Sequence, residues 1–230
     1  MPHQQEFRNR AHEVSRLEAF SDVIFGFAIS LLVVSLEAPK SYEELMEMMH
    51  GMLPFALCFF IFIDMWFEHH HFFRRYALTD TPTIAINTVL LFVILFYVYP
   101  MRYMLTLAAR AFLGEAANMP FDHARTLFTI YGLGFAAVFG LLAALYYRAW
   151  LLREKLELNA VERIDTLESI IDNVATGSIG LLSALLAQTP LIVLAGMIYF
   201  VIGVPKTLVP MIMRRKRAAV GRAMEAEAAA

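Results

Sequence analysis

RLEAFSDVIFGFAISLLVVSLE, residues 16–37, is long and apolar enough to cross a bilayer, yet it carries an aspartate, Asp22, near its start. A carboxylate at membrane depth costs at least ~2.5 kcal/mol on insertion scales, so Asp22 has to face protein or water rather than lipid. It follows Arg16 by about 9 Å along a helix axis and adjoins Ser21. Two arrangements satisfy it: hydrogen bonds to a neighbouring helix, or a water-filled vestibule at one end of the span. At about 100° per residue, with Asp22 at zero, Phe27, Leu31 and Val34 fall near 140°, 180° and 120°, on one narrow stripe. Ser30 and Gly26 flank it near 80° and 40°. A stripe of this kind packs against another helix or, where several copies surround an axis, forms a constriction that gates by dewetting.

The rest of the chain also points to lipid. Of its 230 residues 59% are hydrophobic and only 17% charged, against roughly 25% charged in a soluble domain. A net charge of −2 gives no reason to expect a nucleic-acid partner. The single cysteine, Cys58, lies inside an apolar run, where it reads as packing. Residues 1–16 lack the short apolar region and cleavage site of a secretory signal, so the first apolar segment is expected to be retained.

Six stretches reach membrane length, at about 17–36, 52–73, 83–106, 126–148, 166–187 and 190–213. The last two are separated only by Ala187, Gln188, Thr189 and Pro190, a tight turn that makes them a helical hairpin. With six spans, four of the 19 Lys and Arg residues (Lys40, Arg102, Arg110 and Arg125) fall on one side and all the others on the opposite side. The positive-inside rule then places both termini in the cytoplasm, and an odd span count would split the basic ends. The chain divides into a cytoplasmic segment 1–16, a six-helix membrane domain 17–213, and a tail 214–230 that begins with the headgroup-anchoring run RRKR and ends alanine-rich. On the outer side, Glu43, Glu44 and Glu47 belong to a predicted short helix after Pro39; they are either a solvated face or a carboxylate ring that concentrates cations at a pore mouth.

Several polar residues lie inside the apolar runs. The second span ends WFEHHHFFRRY, and His69, His70 and His71 point about 100° apart, so one helix cannot aim all three at one metal. The better reading is that His70, on the face shared with Trp66, donates to an acidic or amide group of an adjacent helix. Asp64 has no obvious partner except His71. Asn87 at the start of the third span suits an interhelical hydrogen bond, and Pro100 late in it suits a kink. Gly132, Gly134, Gly140, Gly177 and Gly180 favour close helix contact. Asp172 and Asn173 near the start of the fifth span repeat the acidic entrance seen at Asp22. ATGSIGLL does not match the TVGYG filter of tetrameric potassium channels. There is no phosphate loop, no Gly-x-Ser-x-Gly elbow and no long hydrophilic domain, so an enzyme with a soluble active site is not expected. A proton-coupled secondary transporter relaying through Asp22, Asp64 and the histidines stays open on these residues, as does a haem- or metal-binding membrane protein using His69 to His71.

Arg16, Phe20, Ser21 and Asp22, read as RxxxFSD and followed by an aliphatic helix with a hydroxyl at Ser30, resemble the first helix of the transmembrane protein 175 family of endosomal and lysosomal potassium channels and their bacterial homologues. The resemblance continues through Trp66, His70, Asn87 and Pro100. It implies an all-α integral membrane protein of a bacterial inner membrane, with six helices per protomer. It implies also a homo-oligomer, a tetramer, whose first helices line a central pore for K+, with no cofactor. Carried over by position, Phe27, Leu31 and Val34 face the pore with Ser30 beside them, and Arg16, Phe20, Ser21, Asp22, Trp66, His70 and Asn87 hold that helix in place. Phe27 is bulkier than the family's common aliphatic residue, and GFAIS stands where AIAIT is more frequent.

Overall fold

The computed structural model describes residues 7–11, 13–34, 40–50, 52–112 and 120–228, and every regular element among them is helical. Helix α1 (Arg16–Val34) starts behind Ser15, whose Oγ accepts from the Glu18 amide at 3.1 Å. The short α2 (Tyr42–His50) starts the same way, with Ser41 Oγ accepting from the Glu44 amide and Glu44 reaching back to the Lys40 amide at 2.7 Å. Helix α3 (Met52–Tyr76) stops where Ala77 takes a left-handed φ of 49°. Helix α4 (Thr81–Phe112) runs through Pro100 without interruption. Helices α5 (Phe121–Leu151) and α6 (Ala160–Leu186) are joined by a loop that ends in a complete capping box between Asn159 and Glu162.

The expected hairpin after Leu186 is present, but its second arm is not one regular helix. It runs as α7 (Ile192–Met197), a 3₁₀ segment (Ile198–Ile202) and α8 (Gly203–Ala228). Four stretches are long and apolar enough to cross a membrane by length and composition: Thr81–Leu107, Phe121–Leu151, Ala160–Leu186 and Ile192–Val220. They correspond to the third to sixth expected spans. The first two, carried by α1 and α3, are not among the four; α1 is described only to Val34, and α3 carries Asp64, Glu68, Arg74 and Arg75. The expected end of the first span at 36, Pro39, the side chains of Val34 and Glu47, and the last two residues of the tail lie outside the described residues.

Packing centres on α5, which lies against α6 and α4, while α1 docks onto α3 and α4. Phe25 and Leu32 of α1, Cys58, Phe62 and Phe72 of α3, Leu90 and Tyr97 of α4 and Tyr146 of α5 are buried in one continuous core. Small residues set the closest approach. A Cβ on Gly132 would lie 2.5 Å from the Gly180 carbonyl oxygen, and one on Gly180 2.5 Å from that of Gly132, so α5 and α6 cross at backbone contact. Gly134 receives the Tyr97 ring in the same manner, and Gly177 faces Phe139. At Gly140 nothing lies within 4 Å of the would-be Cβ, although its backbone approaches Gly177. The last arm is bound lightly, with Ala195 buried in α7 and Phe200 88% exposed in the 3₁₀ segment.

Between α3 and α4, Asp80 ties this end of the bundle to α5: Arg148 donates to its Oδ2 at 2.7 and 3.0 Å, and Thr83 Oγ1 donates to its Oδ1. Partial burial pushes the Asp80 carboxyl up, but the hydrogen bonds from Thr83 and Arg148 and the Arg148 charge outweigh it and hold the group below its ordinary value. Stability from this contact is therefore full above the ordinary aspartate range and lost as pH falls through the lowered value. In thermal melts of detergent-purified protein, Asp80→Asn is expected to melt below wild type at neutral pH, with the gap closing below about pH 4. Gly180→Ala is expected to cost about 1–3 kcal/mol by overpacking the helix crossing, whereas Gly140→Ala leaves the melt unchanged.

Candidate functional site

Three polar residues of α1, Glu18, Ser21 and Asp22, lie on the side facing α3 and α4. Ser21 is fully buried; its Oγ donates back to the Leu17 carbonyl at 2.8 Å, as a helical serine does when no water is near, and accepts from Asn87 Nδ2 at 2.9 Å. Asn87, also fully buried, presents its Oδ1 to His69 Nε2 at 2.8 Å. One amide on α4 thus joins α1 to α3. One turn toward the start of α1, Glu18 is buried with Oε1 3.4 Å from His70 Nδ1; the two atoms face each other without hydrogen-bond geometry. Trp66 Nε1 donates to Asp22 Oδ1 at 2.8 Å, and the His70 ring stacks on Trp66 with centroids 5.3 Å apart and planes 23° apart. Residues 18 and 22 of α1 therefore meet residues 70 and 66 of α3, each pair one turn apart.

This arrangement satisfies Asp22 through a neighbouring helix. Of the two kinds of partner expected for His70, the acidic one, Glu18, lies against it, while the amide of Asn87 is met by His69. The three rings diverge as their spacing dictates, with His71 lining a separate cavity. Among the described residues no group of three or more His, Cys, Asp or Glu side chains is placed to hold a metal ion. Arg16 and Phe20 stand apart from the clamp within the protomer. Both are exposed, Phe20 by 59%.

The opposite face of α1 is open. Ala19, Phe20, Val23, Gly26, Phe27 and Ser30 are exposed, while Glu18, Ser21, Phe25, Ala28 and Leu32 are buried. Of the expected stripe, Phe27 lies in the open arc at 54% exposure, whereas Leu31 is half-buried against the core. Val34 closes the helix, and its side chain lies outside the described residues. Val23, 68% exposed, belongs to this arc and was not singled out from sequence, although the wheel places it at its centre, near 100°. Ser30 Oγ donates to the Gly26 carbonyl at 2.8 Å, so its outward side is left with acceptor lone pairs.

Asp64 is met by a residue far along the chain, Lys206 of α8, whose Nζ lies 3.1 Å from its Oδ2. Lys206 also lines a cavity of about 270 Å³ among α3, α5, α6 and α8, together with Glu68, His71, Arg75, Asp165, Asp172 and Arg217. Arg217 pairs with Asp165 at 3.5 Å, and Tyr146 donates its hydroxyl to the Glu68 carbonyl at 3.2 Å. Asn173 is buried beside it and donates to the Ser169 carbonyl. Asp22 and Asp64 are thus held by different partners on different helices.

Residues 16–97 match the family model described as Endosomal/lysosomal potassium channel TMEM175. Over 210 residues the chain is 35% identical to a potassium channel of Marivirga tractuosa, covering 84% of this chain and 85% of that one. It is 30% identical over 146 residues to a potassium channel of Chamaesiphon minutus, covering 60% and 64%. Among solved structures, the crystal structure of a variant of the potassium channel MtTMEM175 in complex with a Nanobody-MBP fusion protein superposes with a TM-score of 0.79 at 32% identity, over 94% of this chain and 98% of that one. A lysosomal potassium-selective channel TMEM175 homolog from Chamaesiphon minutus shares the fold, with a TM-score of 0.60 at 22% identity over 90% and 99%.

The clamp predicts a specific weakness at Asn87. Asn87→Leu leaves His69 Nε2 buried without its partner, at about 1–3 kcal/mol, and takes from Ser21 Oγ the donor it accepts from while its own bond to the Leu17 carbonyl stays. The melting temperature in detergent is expected to fall well below that of Thr88→Val, one residue along on the exposed side of α4.

Proposed function

The chain belongs to the TMEM175 potassium channel family, and on that premise we propose that it is a potassium-permeable cation channel in which α1 of each subunit lines a central pore. The observation that carries this reading is the division of α1 into two faces. One is pinned to α3 and α4 through Glu18, Ser21 and Asp22; the other leaves Val23, Phe27 and Ser30 without a cover in the protomer. A purely lipid-facing arc has no use for Gly26 and an outward hydroxyl acceptor at Ser30, whereas a permeation path does.

In this proposal α1 copies surround one axis in a homo-oligomer, a tetramer, with six spans per protomer and both termini in the cytoplasm of a bacterium bounded by its inner membrane. Phe27 forms the principal ring, Val23 and Val34 border it, and Leu31 acts mainly through the core contact that sets the helix rotation. A narrow apolar ring forces an ion to shed water without offering replacement ligands, which raises a desolvation barrier. Ser30, one turn deeper, offers an oxygen to the ion beyond the ring. The exposed Glu43 and Glu44 of α2 would gather cations at the outer mouth. No step in this mechanism calls for a cofactor or for covalent chemistry.

Purified protein in planar bilayers is expected to give unitary K+ currents. Phe27→Ala should raise their conductance and lower the K+:Na+ permeability ratio, while Phe92→Ala, on the exposed side of α4, should leave both unchanged. Saturable, pH-driven flux without unitary events, or identical currents in Phe27→Ala, would overturn the assignment.

A further inference from the structure

The chain segment that leads into α1 is bolted to the far side of the bundle. Glu162, in the first turn of α6, is 1% exposed and collects both arginines of the segment: Arg8 Nε and Nη2 at 3.0 Å each, and Arg10 Nη1 and Nη2 at 3.3 and 2.9 Å. It also accepts from the Arg8 amide at 3.2 Å, and from the Asn159 amide at 3.0 Å as part of its capping box. The α5–α6 loop supplies two further acceptors, with the Glu157 carbonyl taking Arg8 Nη2 at 2.8 Å and the Leu156 carbonyl taking Arg10 Nε at 3.1 Å. On α3, the Ala11 amide donates to the Arg74 carbonyl at 3.2 Å, and Phe7 packs edge-on to Tyr76 under the Arg75 guanidinium.

We infer that residues 7–11 are a strap that sets the axial position and rotation of α1, with Glu162 as a positioning residue for permeation; this rests on the reading of α1 as the pore helix. Two facts point beyond simple stabilisation. α1 begins at Arg16, so only a short stretch of chain separates the bolted segment from the open face. The anchor belongs to α6, outside the residues 16–97 that match the family model, so the strap links the pore helix to a part of the fold the clamp on α3 and α4 does not reach. A carboxylate that receives two guanidinium forks holds its partners in orientation as well as in distance.

The test is single-channel recording of the full-length protein in lipid bilayers. The triple variant Arg8→Ala/Arg10→Ala/Glu162→Gln removes the strap without leaving a buried charge unpaired, and glutamine keeps the capping box. Its oligomer size is expected to match wild type and its amides at 8–11 to exchange hydrogen faster. Open probability or the K+:Na+ permeability ratio should shift by about threefold or more. Arg8→Ala alone, which retains the Arg10–Glu162 bond, should return most of the wild-type behaviour. Should the triple variant fail to assemble, Glu162→Gln alone is recorded on the same criteria. Wild-type currents in the strap variant, alongside altered currents in Phe27→Ala, refute the strap only. Wild-type currents in both refute the pore assignment and the strap with it.

Discussion

Asn87 is the side chain on which the arrangement of the first helix depends. Away from water a buried amide has to place both its donor and its acceptor within the protein, and Asn87 does so on two different helices, Ser21 of α1 and His69 of α3. Apolar packing alone leaves a helix free to slide or rotate by a residue at modest cost, because one aliphatic contact in lipid resembles another. Polar contacts at fixed positions remove that freedom. With Trp66 holding Asp22 and His70 set against Glu18, α1 has one rotation that satisfies its acids, and that rotation decides which side chains remain uncovered.

The two faces of α1 were legible from spacing, because a single helix obeys its own period whatever surrounds it. Phe27 fell where the wheel put it, and Leu31, at the edge of the arc, turned inward to the core. The cost of a carboxylate at membrane depth kept Asp22 off lipid but left a network and a vestibule both open, and the family likeness put Trp66 among the residues that hold the helix without pairing it to Asp22. The choice between His69 and His70 was not legible. Both sit on α3 with equal chemistry, and which one meets Asn87 depends on how α3 is turned toward α4.

Partners distant in sequence were the least accessible. The capping box between Asn159 and Glu162 is local, but nothing local says that the same carboxylate gathers Arg8 and Arg10. Asp64 is the same case: its partner Lys206 lies 142 residues away. The glycines show the limit from the other side. Gly132 and Gly180 meet where neither has room for a Cβ, whereas Gly140 brings its backbone toward Gly177 with open space where its own Cβ would be, so the same residue type serves two different contacts.

The Asp64–Lys206 pair also bears on how the chain is made. α3 is synthesised well before α8, so Asp64 has to wait for its partner while 142 further residues are added, on the order of ten seconds at ordinary rates of translation. During that interval the Asp64 carboxylate is without Lys206, and α8 arrives with the lysine that completes the pair. Joining the two gives each charge its partner, and with Arg217 on Asp165 it dates the docking of the last arm to the end of synthesis, so the protomer closes by a contact that no earlier stretch of chain can make.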